Sequence, residues 1–369
     1  MSKAWSAVKG RLIAVSYAVG WWLVCRVPES WGRWVFQQAG GIAWRRQGPS
    51  IQVLEANLRR VIGPDATGKE LRALSRAGMS SYARYWFEVF RLPVISRERI
   101  VNGMGFVEGE AAMFATLGEG RGVVLALPHM GNWDQAGAWV IAEGAPKITV
   151  VAERLEPESL ARRFFAFRES LGFEVLPATG GASRFGVLAQ RLRQGGLVCL
   201  PTERDVTGTG IEVDFFGEKA LMMGGPAALA VQTGAALMPV TLWFKEDGWG
   251  AHIHEEIPVP AEGSRREKTL AMMQEVAKVF EAGIRAHPED WHMLQRVFVA
   301  DLDLARLARA EAKAQAAGSD SIGTGPNGTG TDENGTDENG AGGNGSGNGP
   351  GKLAGGRAAL DGHPDGGGP

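Results

Sequence analysis

Short runs rich in Val, Leu and Ile alternate with longer stretches of helical spacing through the middle of this chain. The runs are Gly122–Leu127, Ile148–Ala152, Phe173–Leu176, Gly196–Leu200, Leu237–Phe244 and His252–Ile257. The helical stretches include Glu158–Leu171, Ala182–Gln194, Pro226–Thr233 and Arg265–Ala286. A strand that is apolar on both faces has to be covered on both faces. The pattern therefore predicts an α/β fold, a mostly parallel central sheet with helices on each side. Upstream, Gln52–Ile62 and Lys69–Phe90 carry helical spacing, and "SSYARYWFEVFRLP" stops at Pro93, where a helix should.

The ends of the chain differ from this body. From Gly318 to Pro369, 19 of 52 residues are glycine, with seven acids and two bases, and "TDENG" occurs twice in succession. Such a segment cannot bury enough apolar area to offset chain entropy, and disorder is expected. The overall net charge of −2 hides a slightly basic body of 37 bases against 34 acids. At the other end, six of twelve tryptophans fall in the first 44 residues, and the first fifty hold Lys3, Lys9, Arg11, Arg26, Arg33, Arg45 and Arg46 against Glu29 alone. Rings and cations together suit an anionic membrane surface; ordinary core packing is the other reading. "LIAVSYAVGWWLV" is too short to span a bilayer. Arg26 and Pro28 follow it where a small-residue cleavage site would stand, so a retained helix is expected rather than a signal peptide. The expected division is residues 1–50 as interface helices, 51–317 as the α/β domain and 318–369 as the tail. Cys25 and Cys199 sit in apolar surroundings and read as buried thiols.

In an open α/β sheet, ligands bind beyond the carboxyl ends of the strands. Three runs end there on polar groups. "VVLALP" leads to His129, "ITVVA" to Glu153 and Arg154, and "LVCLPT" to Glu203, Arg204 and Asp205. Histidine is the natural general base, because its ordinary pKa lies near neutrality. Asp134 can meet His129 if the chain turns at Gly131 and Asn132 into a helix start, where the helix dipole favours a carboxylate. A partly buried histidine and a plain helix cap would look the same at this level.

The sequence holds no Gly-x-Ser-x-Gly elbow, no Gly-x-Gly-x-x-Gly after a strand, no phosphate-binding Walker loop and no Cys/His cluster of metal-ligand spacing. A base without a protein nucleophile or metal fits direct transfer. The base takes a proton from an acceptor hydroxyl, which attacks an activated carbonyl.

"HMGNWD", His129–Asp134, resembles the His-x4-Asp motif of the glycerolipid and lysophospholipid acyltransferases. Its Gly-Asn-Trp filling is similar to the lipid A lauroyl and myristoyl branch. "YARYWFE", "DFFGEKALMMGGPAALA" and "ALMPV" agree with that branch. "VVAERLEPESL", "AFRESLGFEVLP", "LPTERD" and "HPEDWHMLQRVFVADLD" resemble more narrowly the phosphatidylinositol mannoside acyltransferases of actinobacteria. The blocks cover Gln52 to Asp303.

The resemblance implies transfer of a fatty acyl chain, typically palmitoyl, from acyl-CoA to the 6-hydroxyl of a mannose on phosphatidylinositol mannoside. It also implies a position at the cytoplasmic face of the plasma membrane. Acyl-CoA is then a co-substrate; no cofactor, metal or nucleic acid is expected. His129 would be the base and Glu203 its support, with Asp134 ordering the loop and the donor end of the site. Which carboxylate touches His129 stays open. Glu153 and Arg168 fall in site-lining blocks, with Asn132 as a further substrate contact. Arg154, Arg168 and Arg204 are candidates for the donor phosphates. Phe215, Met222 and Met223 are candidates for an acyl groove. Another lipid or glycolipid acceptor, a thioesterase and a non-catalytic lipid-binding protein are the alternatives.

Overall fold

The computed structural model describes residues 16–145, 147–152, 158–177, 183–205 and 210–302. Trp5, Glu153, Arg154 and the glycine-rich tail lie outside the described residues.

The strands in chain order are β1 (Met104–Glu108), β2 (Val123–Leu127), β3 (Ile148–Ala152), β4 (Glu174–Pro177), β5 (Leu197–Pro201), β6 (Ile211–Phe215), β7 (Glu218–Met222), β8 (Ala236–Lys245) and β9 (Gly248–Ile253). Seven of them form one sheet in the order β1-β9-β8-β2-β5-β3-β4. From β8 to β4 every neighbouring pair is parallel. β9 turns back antiparallel to β8, and β1 follows β9 in parallel.

The helices are α1 (residues 16–24), α2 (Glu29–Arg45), α3 (Pro49–Ile62), α4 (Gly68–Arg91), α5 (Arg97–Gly103), α6 (Glu110–Gly118), α7 (Trp133–Ala142), α8 (Glu158–Ser170), α9 (Ser183–Arg193), α10 (Gly225–Thr233) and α11 (Arg265–Ala286). Their ends follow local chemistry. Thr67 with Glu70 and Ser264 with Glu267 form reciprocal capping boxes on α4 and α11. Pro93 follows α4 in a single 3₁₀ turn. The alternation of β8 sorts its side chains: Val240 and Leu242 face a cavity, while Thr241 meets α11 at Gly283. Helices α9, α10 and α11 cover that second face. Helices α4, α7 and α8 lie across the cavity on the first.

Three features departed from expectation. The run expected at His252–Ile257 is strand only as far as Ile253 and begins at Gly248. Its glycines hid it: a Cβ at Gly250 would stand 2.2 Å from the Trp243 ring, so the strand has to lack side chains where that indole lies. β1 is a short edge strand with little pattern to read. "IEVDFFGEKALM" is a β6–β7 hairpin turned by Phe216 and Gly217, both at positive φ, the geometry of a two-residue hairpin turn.

At the N-terminus, α2 lies close against α4, with a Cβ at Gly40 only 2.8 Å from the Met79 carbonyl. The tryptophans divide. Trp22, Trp31 and Trp34 are 54%, 72% and 60% exposed, beside exposed Val19, Leu23, Val35 and Ile42. Arg26 stacks over Trp22. Trp21 faces inward on Phe90, Phe164 and Phe167. Trp44 donates its indole N–H to Ser75. Among the described residues, no helix is long and apolar enough to cross a membrane.

Candidate active site

β2 and β5 are parallel neighbours with Leu127 opposite Pro201. Continued two residues past their paired ends, this register brings His129 beside Glu203. The Thr202 N–H, bonded to the Leu127 carbonyl at 2.9 Å, extends the pairing in that direction. His129 Nδ1 lies 3.0 Å from both Glu203 oxygens, and the His129 backbone N–H donates to Oε1 at 2.6 Å. Glu203 has no solvent exposure. Burial pushes its carboxyl up, but the His129 charge, ring and backbone N–H outweigh burial, and the net direction is down. An ionised carboxylate at that distance holds the imidazole proton on Nδ1. Nε2 is left with its lone pair, as a general base requires. The Trp133 indole stands edge-on to the imidazole at 5.5 Å.

Asp134 does not reach this pair. It is buried, accepting Arg168 Nε and Nη2 at 2.7 and 3.0 Å and the Tyr85 hydroxyl at 3.0 Å. The cause is its place on the first turn of α7, facing α4 and α8 rather than the end of β2. Burial raises the Tyr85 hydroxyl well above its ordinary value, with Asp134 adding to it. Burial lowers and Asp134 raises Arg168, which remains a cation. The guanidinium expected on the donor phosphates is thus committed to Asp134 in a bidentate pair.

Asn132 is turned inward as well. It caps α7 by accepting the Gln135 N–H and donates to Glu88, a buried carboxylate that also takes Arg84 and the Trp249 indole. Its polar groups hold the loop rather than face a ligand.

A cavity of about 320 Å³ opens beside this pair. Leu125, Trp139, Val140, Phe164, Phe173 and Leu242 give it apolar walls, with His129, Asp134, Arg168 and Arg204 also at its lining. Cys199 is in the wall too; burial pushes its thiol up to about 12, so it stays protonated and unreactive. Both cysteines are free. Of the groove residues expected from "FFGEKALMMGG", Met223 lines this cavity. Phe215 and Met222 do not: both are fully buried, with Phe215 against Phe298 and Trp291. A two-residue alternation sends Val213, Phe215, Ala220 and Met222 to the buried face of the hairpin.

Residues not singled out from sequence as site members also belong here. The Tyr85 and Trp133 rings meet at 4.1 Å, tilted by 32°, and line the cavity. A strap of residues 290–292 holds the loop that follows β2. Gly131 donates to the Asp290 carbonyl at 2.9 Å, Met130 bridges Trp291, and His292 N–H donates to the His129 carbonyl at 2.8 Å. Gly131 has φ +57°, and a Cβ there would lie 2.8 Å from the Leu242 backbone.

A model of the bacterial lipid A biosynthesis acyltransferases matches residues 3–299. A phosphatidylinositol mannoside acyltransferase of Mycolicibacterium smegmatis is 47% identical over 302 residues, covering 81% of this chain and 96% of that protein. One of Mycobacterium tuberculosis is 46% identical over 301 residues, covering 81% and 92%. The family model spans most of the chain, and both relatives are covered over nearly their whole length: the chain is an acyltransferase and belongs to the bacterial lipid A biosynthesis acyltransferase family.

Proposed function

We propose that the protein transfers a fatty acyl chain, palmitoyl in the first instance, from acyl-CoA to the 6-hydroxyl of a mannose on phosphatidylinositol mannoside. The names of the two relatives support the acceptor. The single observation that carries the chemistry is the His129–Glu203 pair beside an apolar cavity. In this reading the acyl chain lies in the cavity with its thioester carbonyl near His129. Nε2 takes the proton of the acceptor hydroxyl as the oxygen attacks that carbonyl. The new C–O bond forms, the tetrahedral oxyanion collapses, and the C–S bond breaks. The leaving thiolate takes the proton back from the imidazolium. Glu203 stays ionised and stabilises the imidazolium between these steps. A thioester is already activated, so positioning and one base suffice, and no cofactor beyond the co-substrate enters.

The acceptor is a lipid, and the reading places the enzyme peripherally on the cytoplasmic face of the membrane. The exposed Trp22, Trp31 and Trp34, with Val19, Leu23, Val35 and Ile42 beside them, support α1 and α2 as the docking surface. Arg26, stacked over Trp22, would meet anionic headgroups. An acceptor panel with one acyl-CoA donor tests the reading: mannosylated phosphatidylinositol, a lysophospholipid, another glycolipid and no acceptor. Transfer only to the mannosylated lipid is expected. Equal use of another acceptor, or turnover independent of any acceptor, would replace it.

A further inference from the structure

Behind the His129 loop three polar side chains are buried together and take no part in the chemistry above. Ser81 on α4 donates to Asp290 Oδ1 at 2.6 Å and lies 2.8 Å from His292 Nε2. The other Asp290 oxygen accepts the Phe244 N–H of β8 at 2.8 Å. All three residues are under a tenth exposed. One carboxylate therefore ties the strap at residues 290–292 to a helix and to a strand at once. The same strap grips the loop through Gly131, Met130 and the His129 carbonyl.

We infer that Asp290 and Ser81 are positioning residues for His129, holding the strap that fixes the catalytic loop against Glu203. This rests on His129 being the base. The chemistry of the cluster is demanding. Ser81 and Phe244 both donate, so the site requires two acceptor oxygens, and only a carboxylate supplies them on so short a side chain. Ser81 spends its one proton on Asp290, so His292 must carry its proton on Nε2 and give it to the Ser81 oxygen. His292 Nδ1 is then bare and buried without a partner. Burial pushes His292 down to about 3, which keeps the ring neutral. Burial also pushes Asp290 up to about 6, opposed by Ser81, the Phe244 N–H and Arg84 and reinforced by Glu289. The charged and titratable groups around Asp290 are thus Arg84 on α4 and, just before the strap, Glu289 and His287, while β8 contributes a backbone N–H. His129 faces the cluster through His292.

Asp290→Asn replaces one acceptor by a donor. With its oxygen kept on the Phe244 N–H, its amide donates to the Ser81 oxygen, which turns the Ser81 proton onto His292 Nε2 and forces the His292 proton to Nδ1. Ser81→Ala removes the shared hydroxyl without adding bulk. Both variants are to be assayed with His129→Ala beside them, at saturating and limiting acyl donor across pH 5 to 9. Each is expected to lose roughly tenfold to hundredfold in kcat, with the KM for the donor within about twofold. In Asp290→Asn the kcat profile should also lose a titration on its acid side. Folded Asp290→Asn and Ser81→Ala proteins with wild-type kcat and pH profile would overturn the inference. If Asp290→Asn does not fold, Ser81→Ala decides alone. Normal turnover in His129→Ala would instead remove the base itself, a different result from a dead His129→Ala beside two fully active strap variants.

Discussion

Glu203 takes both the backbone N–H and the ring Nδ1 side of His129, so one buried carboxylate fixes the position and the proton of the imidazole together. Glu203→Gln should destroy that control. The amide can present an N–H to Nδ1, which moves the ring proton to Nε2 and removes the base. Turnover should fall by roughly 10²–10⁴-fold, the usual worth of a general base, toward the upper end because the imidazole is held in the wrong tautomer. Acyl-donor binding should hold, since Glu203 has no solvent exposure. Steady-state kinetics with a binding titration check the split; equal loss in both would assign Glu203 to the fold.

The same pair sets a stability term. The carboxyl of Glu203 is depressed in the folded protein. Its contribution is present above the unfolded carboxylate range and is lost as pH falls through the lower folded value. Asp290 has the opposite sign. Its carboxyl is raised to about 6, so the fold favours its protonated form, and that contribution is lost as pH rises from about 4 through 6. Thermal midpoints of wild type minus Asp290→Asn should thus be more positive at pH 4.5 than at pH 7.5. A difference independent of pH would show that Asp290 does not titrate in this range.

Asp134 and Arg168 form a buried bidentate pair. Removing either partner leaves an uncompensated buried group, at about 3–5 kcal/mol. Asp134→Asn and Arg168→Met should each lower stability steeply, and the double variant should lose less than their sum. Denaturant unfolding of the four proteins closes the cycle. Additive losses would mean the pair is not coupled.

Trp21 and Trp22 are adjacent but face opposite ways. Binding of the wild type to anionic liposomes should weaken as salt rises, and Trp22→Ala with Trp31→Ala and Trp34→Ala should reduce it further, most visibly at high salt where headgroup attraction is screened, while leaving the thermal midpoint within a few degrees. Trp21→Ala should lower the midpoint, because it empties the packing against Phe90, Phe164 and Phe167. Liposome co-sedimentation beside thermal unfolding separates them; unchanged binding in the triple variant would move the docking surface elsewhere.

Much of this arrangement was legible in sequence where the physics is local. Apolar runs gave β2, β3, β5 and β8, and α11 matched its expected ends at Arg265 and Ala286. His129 and Glu203 could be named because each follows a strand at the end where ligands bind. What sequence could not give was the third dimension of the loop. His-x4-Asp spacing fits a contact between His129 and Asp134, but α7 turns the aspartate toward Arg168, which lies 34 residues on. Phe215 and Met222 looked like groove residues because a hairpin face and a lipid-lining face are equally apolar. Asp290 and Ser81 are 209 residues apart, so nothing at either position announced the other.

The most direct test is mass spectrometry of the lipid formed from palmitoyl-CoA and a mannosylated phosphatidylinositol. Wild-type protein should yield a product heavier by one palmitoyl group, with the ester on a mannose 6-hydroxyl. Correctly folded His129→Ala should form it ~10²–10⁴-fold more slowly. A near-normal yield from His129→Ala, or palmitate released with no acylated lipid from wild type, would contradict the account.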